Sequence, residues 1–516
     1  MIGSTKAAEI DMAETSPTET RESQPFEDPL DQLPKTRWEQ LWPTIACGAG
    51  LFSDGYLNNV IGSVNTILKI LYPKDYGNSS ASRNVTSVAF AGTVVGQLFF
   101  GYCSDHYSRK WSLMASTIIL IIFAALAAGS YGAGGSVGGL LAALTAYRFF
   151  LGIGIGGEYP AGSVACVEST GELKAGTRNR WFVLFTNVQI DVGFVIAAFV
   201  PLVLVWIFSE NHLRAVWRIS LALGVIPPLS LLYLRLKLQE PEEFKRESMR
   251  DTKVPWLLVI KYYWYRLMLV SILWFIYDFC SYSFGLYAST ILSVVIGNDA
   301  PLWKTFGWNT VINLFNIPGC ILGAFVSDWV GPRRALGYGV LAQAGVGFLM
   351  AGLYSTLATP EHIGAFVVVY GIFLSLGELG PGDNIGLMAS KTSATAIRGQ
   401  YYGIAAACGK IGAFVGSYVF PIIQANAPNP TRSGQDPFFV ASALCVVSAA
   451  LTLFLLPHIG QDTITEEDHK FREYLAASGF DISQLGTKEH QAERNASIAI
   501  VESSSTTGFE KSAFDK

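Results

Sequence analysis

The stretch LMLVSILWFIYDFCSYSFGLYASTILSVV, Leu267–Val295, contains a single charged side chain, Asp278. An apolar run of this length is typical of a membrane-crossing helix, because about 20 residues span the roughly 30 Å hydrocarbon core. A carboxylate at that depth costs about 2.5–3.5 kcal/mol on insertion scales, so the sequence predicts a function for Asp278. Trp274 and Tyr282 lie four residues before and after it and share its helical face. We interpret this face as the lining of a polar pocket.

The composition of the whole chain is that of a polytopic membrane protein. Of 516 residues, 51% are hydrophobic and 15% are charged, with a mean hydropathy of +0.36; soluble domains average about 25% charged residues. Long apolar segments recur, and because lipid offers the backbone no hydrogen-bonding partner, each of them must be a helix. The predicted fold class is an all-α polytopic membrane protein with twelve transmembrane helices. The net charge of −4 gives no reason to expect a nucleic-acid partner.

Composition also divides the chain into five parts. The first residues are rich in Ser, Thr, Glu and Pro and lack an apolar period, which is typical of disorder. The predicted parts are a disordered tail at 1–36, a six-helix half at 37–238, a linker at 239–266, a second six-helix half at 267–456 and a C-terminal tail at 457–516. Basic residues cluster in the linker and after even-numbered helices, so the positive-inside rule places those loops and both termini in the cytoplasm.

A motif after the second predicted helix recurs after the eighth. The pattern Gly-x-x-x-Asp-x-x-x-Arg-Lys at 101–110 is echoed at 324–334 by Ala-x-x-x-Asp-x-x-x-x-Arg-Arg. The aspartates Asp105 and Asp328 are separated by 328 − 105 = 223 residues. An internal duplication of this kind, with functional side chains near the midplane between the halves, is the layout of alternating-access transporters.

The repeated motif resembles that of the major facilitator superfamily, and the resemblance covers essentially the whole chain. The segment GIGIGGEYP at 152–160 is similar to the fourth-helix signature of the phosphate:proton symporters. GPGD at 380–383, SATAIRG at 393–399 and GKIG at 409–412 resemble the fungal glycerophosphodiester permeases more closely. This resemblance implies the major facilitator fold and proton-coupled import of glycerophosphocholine or glycerophosphoinositol across the plasma membrane by a monomer.

Two features that indicate cofactors in other proteins have a different interpretation here. Gly152-x-Gly154-x-x-Gly157 has the spelling of a dinucleotide-binding motif, but it has no βαβ context, so it predicts close packing of membrane helices. The seven cysteines lie in or beside predicted helices, and none has metal-ligand spacing. We therefore expect no cofactor, no metal site and no disulfide framework.

Three charged residues are candidates for proton coupling, namely Asp54, Arg148 and Glu158. An arginine that keeps its charge, within reach of two carboxylates, can hold a proton-accepting site near neutral pH. In the phosphate symporters that this chain resembles, the matching positions form the proton path. The alternative interpretation is a fixed ion pair that clamps two helices together.

The resemblance also implies a substrate site. The positions that match the phosphate-site lining of the phosphate symporters are Tyr159, Gln189, Trp274, Asp278, Tyr282 and Lys410. Lysine supplies a positive charge for a phosphoryl oxygen, and the tyrosine, glutamine and tryptophan side chains supply hydrogen-bond donors. Asp278 would accept a hydrogen bond from the ligand or pair with Lys410. The alternative for the aromatic residues alone is core packing.

The chain departs from the phosphate symporters beside this site. Gly382 stands where they have asparagine, and Asp383 adds an acceptor in the space that this opens. Such a change suits a substrate that extends beyond phosphate, through inositol hydroxyls or a choline cation. Choline is slightly favoured, since cation–π attraction and further buried acids suit a quaternary ammonium. The acids are Asp191 and Glu378, and the aromatic residues are Tyr277, Tyr282, Tyr401 and Tyr402. Lys391 is another departure, where the phosphate symporters have an acid.

Three other functions fit part of the pattern. An inorganic phosphate:proton symporter is the nearest alternative, and Gly382-Asp383 argues against it. A nutrient sensor that binds the same ligand without accumulating it is an alternative of another class. A membrane-embedded phosphodiesterase is disfavoured because the sequence shows neither a His/Asp metal cluster nor an activated serine arrangement, so we predict that the protein is not an enzyme.

Overall fold

The structure is a computed structural model that describes residues 37–77, 79–174, 176–297, 300–460, 463–488 and 491. The tail predicted at 1–36 and the final part of the tail predicted at 457–516 lie outside these residues. The described chain is helical, without strands. The helices of the first half are α1 (Arg37–Gly48), α2 (Leu51–Leu71), α3 (Ala81–His106), α4 (Arg109–Ala128), α5 (Val137–Gly157), α6 (Val164–Ser169), α7 (Arg178–Phe185), α8 (Asn187–Phe208), α9 (Leu213–Ala222) and α10 (Ile226–Leu236).

The remaining helices repeat this plan. They are α11 (Glu242–Glu247), α12 (Trp256–Ile296), α13 (Leu302–Leu314), α14 (Asn316–Trp329), α15 (Pro332–Leu357), α16 (Ile363–Gly377), α17 (Asp383–Lys391), α18 (Arg398–Ala425), α19 (Pro430–Leu455) and α20 (Thr463–Ala477). Among the described residues, 11 helical segments are long and apolar enough to cross a membrane. The segment α1–α2 supplies the twelfth crossing; its buried Asp54, Asn58 and Asn65 make it the most polar. The predicted twelve-helix fold is confirmed.

One boundary differs clearly from the prediction. The helix expected from residue 267 begins at Trp256, which is 267 − 256 = 11 residues earlier. The additional turns contain exposed Lys261 and half-buried Arg266. These charged residues lower the hydropathy of the segment, so the sequence pattern there is typical of a loop. The connection between the halves is therefore shorter than the predicted linker at 239–266.

The fourth and tenth crossings carry the same distortion. Residues Glu158–Ser163 and Glu378–Gly382 form π-helical turns that interrupt α5–α6 and α16–α17. Each turn contains a proline, Pro160 or Pro381, which has no backbone N–H to donate. Such turns are frequent at functional sites because they redirect side chains. Here they present Tyr159 and Asp383 to the centre of the molecule.

Both ends of the bundle are bridged between the halves. At the end where residues 239–255 lie, called the linker end below, the Asp105 carboxylate accepts from the backbone N–H of Gly399 at 2.8 Å and of Gln400 at 2.7 Å. The Arg398 guanidinium pairs with Glu168 at 3.0 Å at the same end. At the opposite end the contacts include that of Thr66 Oγ1 with Ser289 Oγ at 3.1 Å and that of the Leu302 backbone N–H, which donates to Glu210 Oε1 at 2.7 Å.

Helix α20 packs on the linker end, where the sequence predicted only a polar tail. The Asp468 carboxylate accepts from the backbone N–H and the hydroxyl of Thr395, each at 2.7 Å. Phe471 and Leu475 are buried in a cluster with Tyr263. Part of the predicted C-terminal tail is thus a component of the closed linker end.

The glycine-rich segment of α5 packs against α3, which confirms the helix-packing interpretation. A Cβ atom on Gly152 would lie 2.0 Å from the carbonyl oxygen of Ala89, and one on Gly92 would lie 1.9 Å from that of Phe149. Only glycine allows two membrane helices to approach this closely.

We predict that Gly152→Val destabilises the protein, because the added side chain must push α3 and α5 apart. Overpacking of this kind costs typically about 1–3 kcal/mol. The matched control is Gly345→Val on α15, where a Cβ atom meets nothing within 4 Å. Thermal unfolding of the purified proteins in detergent is the measurement. Equal unfolding temperatures for the two variants would contradict the packing role.

Candidate functional site

A cavity lies at the centre of the molecule, between the two halves and between the two bridged ends. Its volume is ≈ 40 Å³, which is room for about three water molecules. Polar, charged and aromatic side chains from both halves line it. They include Tyr159, Asn187, Trp274, Tyr277, Asp278, Tyr282, Glu378, Asp383, Tyr402 and Lys410.

The ion pair of Lys410 with Asp278 is the main polar contact of this cavity. Lys410 Nζ lies 3.1 Å from Asp278 Oδ2, and both side chains are 1% exposed. Lys410 Nζ also donates to Tyr282 Oη at 2.6 Å. The same ammonium lies over the rings of Tyr282 and Tyr159, 3.9 Å and 4.9 Å from their centroids. The structure thus brings together four of the six residues predicted for a phosphate site, and Trp274 lines the same cavity.

Asp54 lies beside this group. The Tyr159 hydroxyl donates to Asp54 Oδ2, and Asn58 Nδ2 donates to Asp54 Oδ1 at 2.5 Å. A continuous polar chain therefore runs from Asp54 through Tyr159 and Tyr282 to Lys410. The carboxylate predicted for proton coupling is connected to the lysine by hydroxyl groups.

The predicted contact of Arg148 with Asp54 and Glu158 is wrong. Arg148 donates instead to the backbone carbonyls of Val85 at 2.8 Å and Leu57 at 3.3 Å. Glu158 pairs with Arg235, with Nη2 to Oε2 at 2.5 Å and Nη1 to Oε1 at 2.7 Å. The two hydrogen bonds satisfy both carboxylate oxygens, and this bidentate geometry is common in arginine–carboxylate pairs. The sequence does not predict this partner, because Arg235 lies in the last turn of its helix, where a basic residue is typical of the membrane boundary.

Gln189 is not part of the cavity lining, contrary to prediction. Its side-chain amide donates to the carbonyl of Leu184 at 3.3 Å. Within α8 the lining comes from Asn187, Ile190 and Phe194, whose spacing of three and four residues places them on one face. The crossing is interrupted at Thr186, between α7 and α8, and this break sets which face points inward. The helical pattern of the sequence therefore does not predict Asn187 as a lining residue.

Three carboxylates cluster on one side of the cavity. Asn187 Nδ2 donates to Glu378 Oε2 and to Asp383 Oδ1, each at 3.0 Å. The Tyr277 hydroxyl also donates to Glu378, at 3.0 Å, and Asp383 Oδ2 has no hydrogen-bonding partner among the described residues. Asp191, fully buried, completes the cluster. This acid cluster (Asp191, Glu378 and Asp383) has no arginine or lysine in hydrogen-bond contact within the described chain, so it suits a cation or hydroxyl donors.

The aromatic residues predicted to surround a cation are divided by the structure. Tyr277, Tyr282 and Tyr402 line the cavity. Tyr401 lies outside it, near the linker end, with its hydroxyl 3.1 Å from that of Thr392. Lys391 is likewise remote from the cavity, since its ammonium donates to Asn179 at 2.5 Å near the linker end.

Comparison with known proteins identifies relatives of the whole chain. Residues 50–417 match the Major Facilitator Superfamily. The "Major glycerophosphoinositol permease GIT3" of Candida albicans is 54% identical over 453 residues, covering 86% of this chain and 84% of that protein. The "Glycerophosphocholine permease GIT4" of the same organism is 52% identical over 457 residues, covering 88% and 85%. A structure of the proton:xylose symporter XylE shares the fold, with a TM-score of 0.67, 17% identity and coverage of 84% and 99%.

We predict energetic coupling of Glu158 with Arg235 and little coupling with Arg148. Arg235→Gln leaves a buried carboxylate unpaired, which costs about 3–5 kcal/mol, and adding Glu158→Gln should recover most of that loss. Coupling between Arg148→Gln and Glu158→Gln should be within about 0.5 kcal/mol. Double-mutant cycles of unfolding stability in detergent measure both. Strong coupling of Glu158 to Arg148 would contradict the observed pairing.

Proposed function

The chain belongs to the Major Facilitator Superfamily, and we propose that it is a proton-coupled symporter that imports glycerophosphodiesters by alternating access. It is a multi-pass membrane transporter and not an enzyme, in keeping with relatives named as permeases. Glycerophosphocholine and glycerophosphoinositol are the proposed cargoes. The observation that carries the proposal is a buried lysine paired with Asp278 in a cavity between the halves, beside an acid cluster.

Charge balance supports proton coupling. A phosphodiester is a monoanion, so its phosphoryl oxygens compete with Asp278 for the ammonium of Lys410. A carboxylate displaced from its partner in a buried site costs several kcal/mol, and uptake of a proton removes that cost. Asp278 and Asp54, which are connected through Lys410 and the hydroxyls of Tyr282 and Tyr159, are the proposed proton carriers. With more than one proton per diester, each net positive charge gains about 2.3 kcal/mol per 100 mV of membrane potential.

The other two residues predicted for proton coupling have a different place in the proposal. Glu158, held by Arg235 on the linker side of the cavity, receives the proton only if that pair opens during transport. Arg148 fixes the crossing through the carbonyls of Val85 and Leu57. The proposed orientation follows the positive-inside rule, with the linker end and both termini in the cytoplasm of a monomer in the plasma membrane.

The acid cluster favours a diester over inorganic phosphate. Its three carboxylates would repel a second anionic oxygen, whereas a choline cation or the hydroxyls of inositol would satisfy them. Tyr277 and Tyr402 add aromatic faces that attract a quaternary ammonium. An inorganic phosphate symporter would gain nothing from such a cluster. A sensor would use the same contacts, and only accumulation of substrate separates it from a transporter.

We predict that Asp278→Asn reduces uptake to background while binding persists, because the amide keeps the shape of the side chain but carries no proton.

Lys410→Ala should weaken binding of every phosphodiester by roughly 10- to 100-fold, which corresponds to the loss of one charged hydrogen bond. The exposed Lys261→Ala is the control. The measurement is uptake of radiolabelled glycerophosphocholine into proteoliposomes with an imposed pH gradient. Wild-type binding without accumulation would indicate a sensor, and normal transport by Asp278→Asn would remove Asp278 from the mechanism.

Asp383→Asn is predicted to change the choice between head groups. Loss of one carboxylate from the acid cluster should weaken the binding of glycerophosphocholine more than that of glycerophosphoinositol. An amide oxygen still accepts a hydrogen bond from a hydroxyl, but it no longer offsets the charge of a cation. Competition by each unlabelled diester against one labelled diester measures the ratio, with the exposed Asp75→Asn as control. Equal losses for the two diesters would show that Asp383 does not contact the head group.

A further inference from the structure

A second cavity adjoins the Lys410 site on the side away from the linker end. Its volume is ≈ 20 Å³. The amides of Asn58 and Asn59 from one half and of Asn313 and Asn316 from the other line it, so we call it the asparagine chamber. Gly285 and apolar side chains complete its wall.

The asparagine chamber shares part of its wall with the Lys410 cavity. Phe194, Ser281, Tyr282 and Glu378 line both. Tyr282 is the junction, because its hydroxyl accepts from Lys410 Nζ at 2.6 Å. A ligand whose phosphoryl group binds Lys410 can therefore extend one arm into the chamber and the other toward the acid cluster.

The chemistry of the chamber suits neutral hydroxyl groups. The side-chain carbonyl oxygens of Asn58 and Asn316 are buried and have no hydrogen-bonding partner among the described residues. Asn59 Nδ2 donates across the halves to Asn313 Oδ1 at 2.9 Å. A hydroxyl both donates and accepts, so it can satisfy these amides. Apart from Glu378 at the junction, the lining has no carboxylate or basic side chain, which disfavours a charged ligand group.

We propose that the asparagine chamber binds the glycerol arm of the diester; this inference rests on the proposed function. A phosphodiester has two arms, and the glycerol arm is the one common to all glycerophosphodiesters. Three carbons with two free hydroxyls also require less widening of the smaller cavity than an inositol ring does. The variable head group then faces the acid cluster, and the glycerol hydroxyls replace the amide contact between Asn59 and Asn313.

The test compares two ligands that differ only in the arm hydroxyls, glycerophosphocholine and propylphosphocholine. The wild-type protein should bind glycerophosphocholine about tenfold more tightly, the gain from one to two hydrogen bonds. In Asn316→Leu this preference should fall to near one while the affinity for propylphosphocholine stays unchanged. Leucine has the same branching and the same number of heavy atoms and removes an unpaired buried acceptor, so the variant should fold normally. Binding is measured by calorimetry on the purified full-length protein.

Gly285→Ala provides an independent variant. A Cβ atom at Gly285 meets nothing within 4 Å and adds a methyl group to the chamber wall. A Cβ atom at Gly345 also meets nothing within 4 Å, but Gly345 does not line the chamber, so Gly345→Ala is the control. Gly285→Ala should lower the preference for the glycerol arm, and Gly345→Ala should not. This pair separates occupation of the chamber from an effect on folding.

Each other outcome overturns the inference. If Asn316→Leu and Gly285→Ala keep the wild-type preference, the chamber does not bind the arm. If the variants lose affinity equally for both ligands, the chamber has no role specific to the hydroxyls. If glycerophosphoinositol weakens while glycerophosphocholine does not, the chamber binds the head group. If the wild-type protein binds neither diester, the proposed function itself fails.

Discussion

A positive charge held inside a membrane bundle by one carboxylate is the constraint on which the site depends. Lys410 and Asp278 are both 1% exposed and 3.1 Å apart. Neither charge is stable there without the other, because the cost of leaving water is recovered only through their mutual attraction and hydrogen bonds. An anionic ligand that binds the lysine must therefore be accompanied by a change in the charge of the acid. In the proposed mechanism, substrate binding and proton uptake are therefore coupled at this pair.

In the proposed mechanism, the residues around this pair divide the recognition of a diester into separate tasks. The lysine and the hydroxyls of Tyr159 and Tyr282 offer contacts for a phosphoryl group. The acid cluster and the asparagine chamber extend from it in two directions, one with negative charge and one with neutral amides. Asn59 and Asn313 also belong to the contacts that join the halves. In the proposed mechanism, occupancy of the chamber and closure of that end are therefore coupled through the same side chains.

The sequence predicted those features that a single helix determines by itself. Twelve crossings follow from the apolar segments, and Asp278 and Lys410 are identified by their charge within such segments. The partner of Glu158 was not predictable in this way, because Arg235 belongs to a different crossing and only the packing of the helices brings its side chain to the acid. The position of Asn187 depends on a local break of the helix at Thr186, which the residue types around it do not predict. The asparagine chamber arises only when two halves of the chain meet, and each asparagine alone is unremarkable.

The most direct test of this account is an experimental structure of the protein with bound glycerophosphocholine. The account predicts a phosphoryl oxygen within hydrogen-bond distance of Lys410 Nζ, with Asp278 no longer its closest partner. It also predicts the glycerol hydroxyls against the amides of the chamber. A structure in which Lys410 and Asp278 keep their contact while the diester lies elsewhere in the bundle would contradict it.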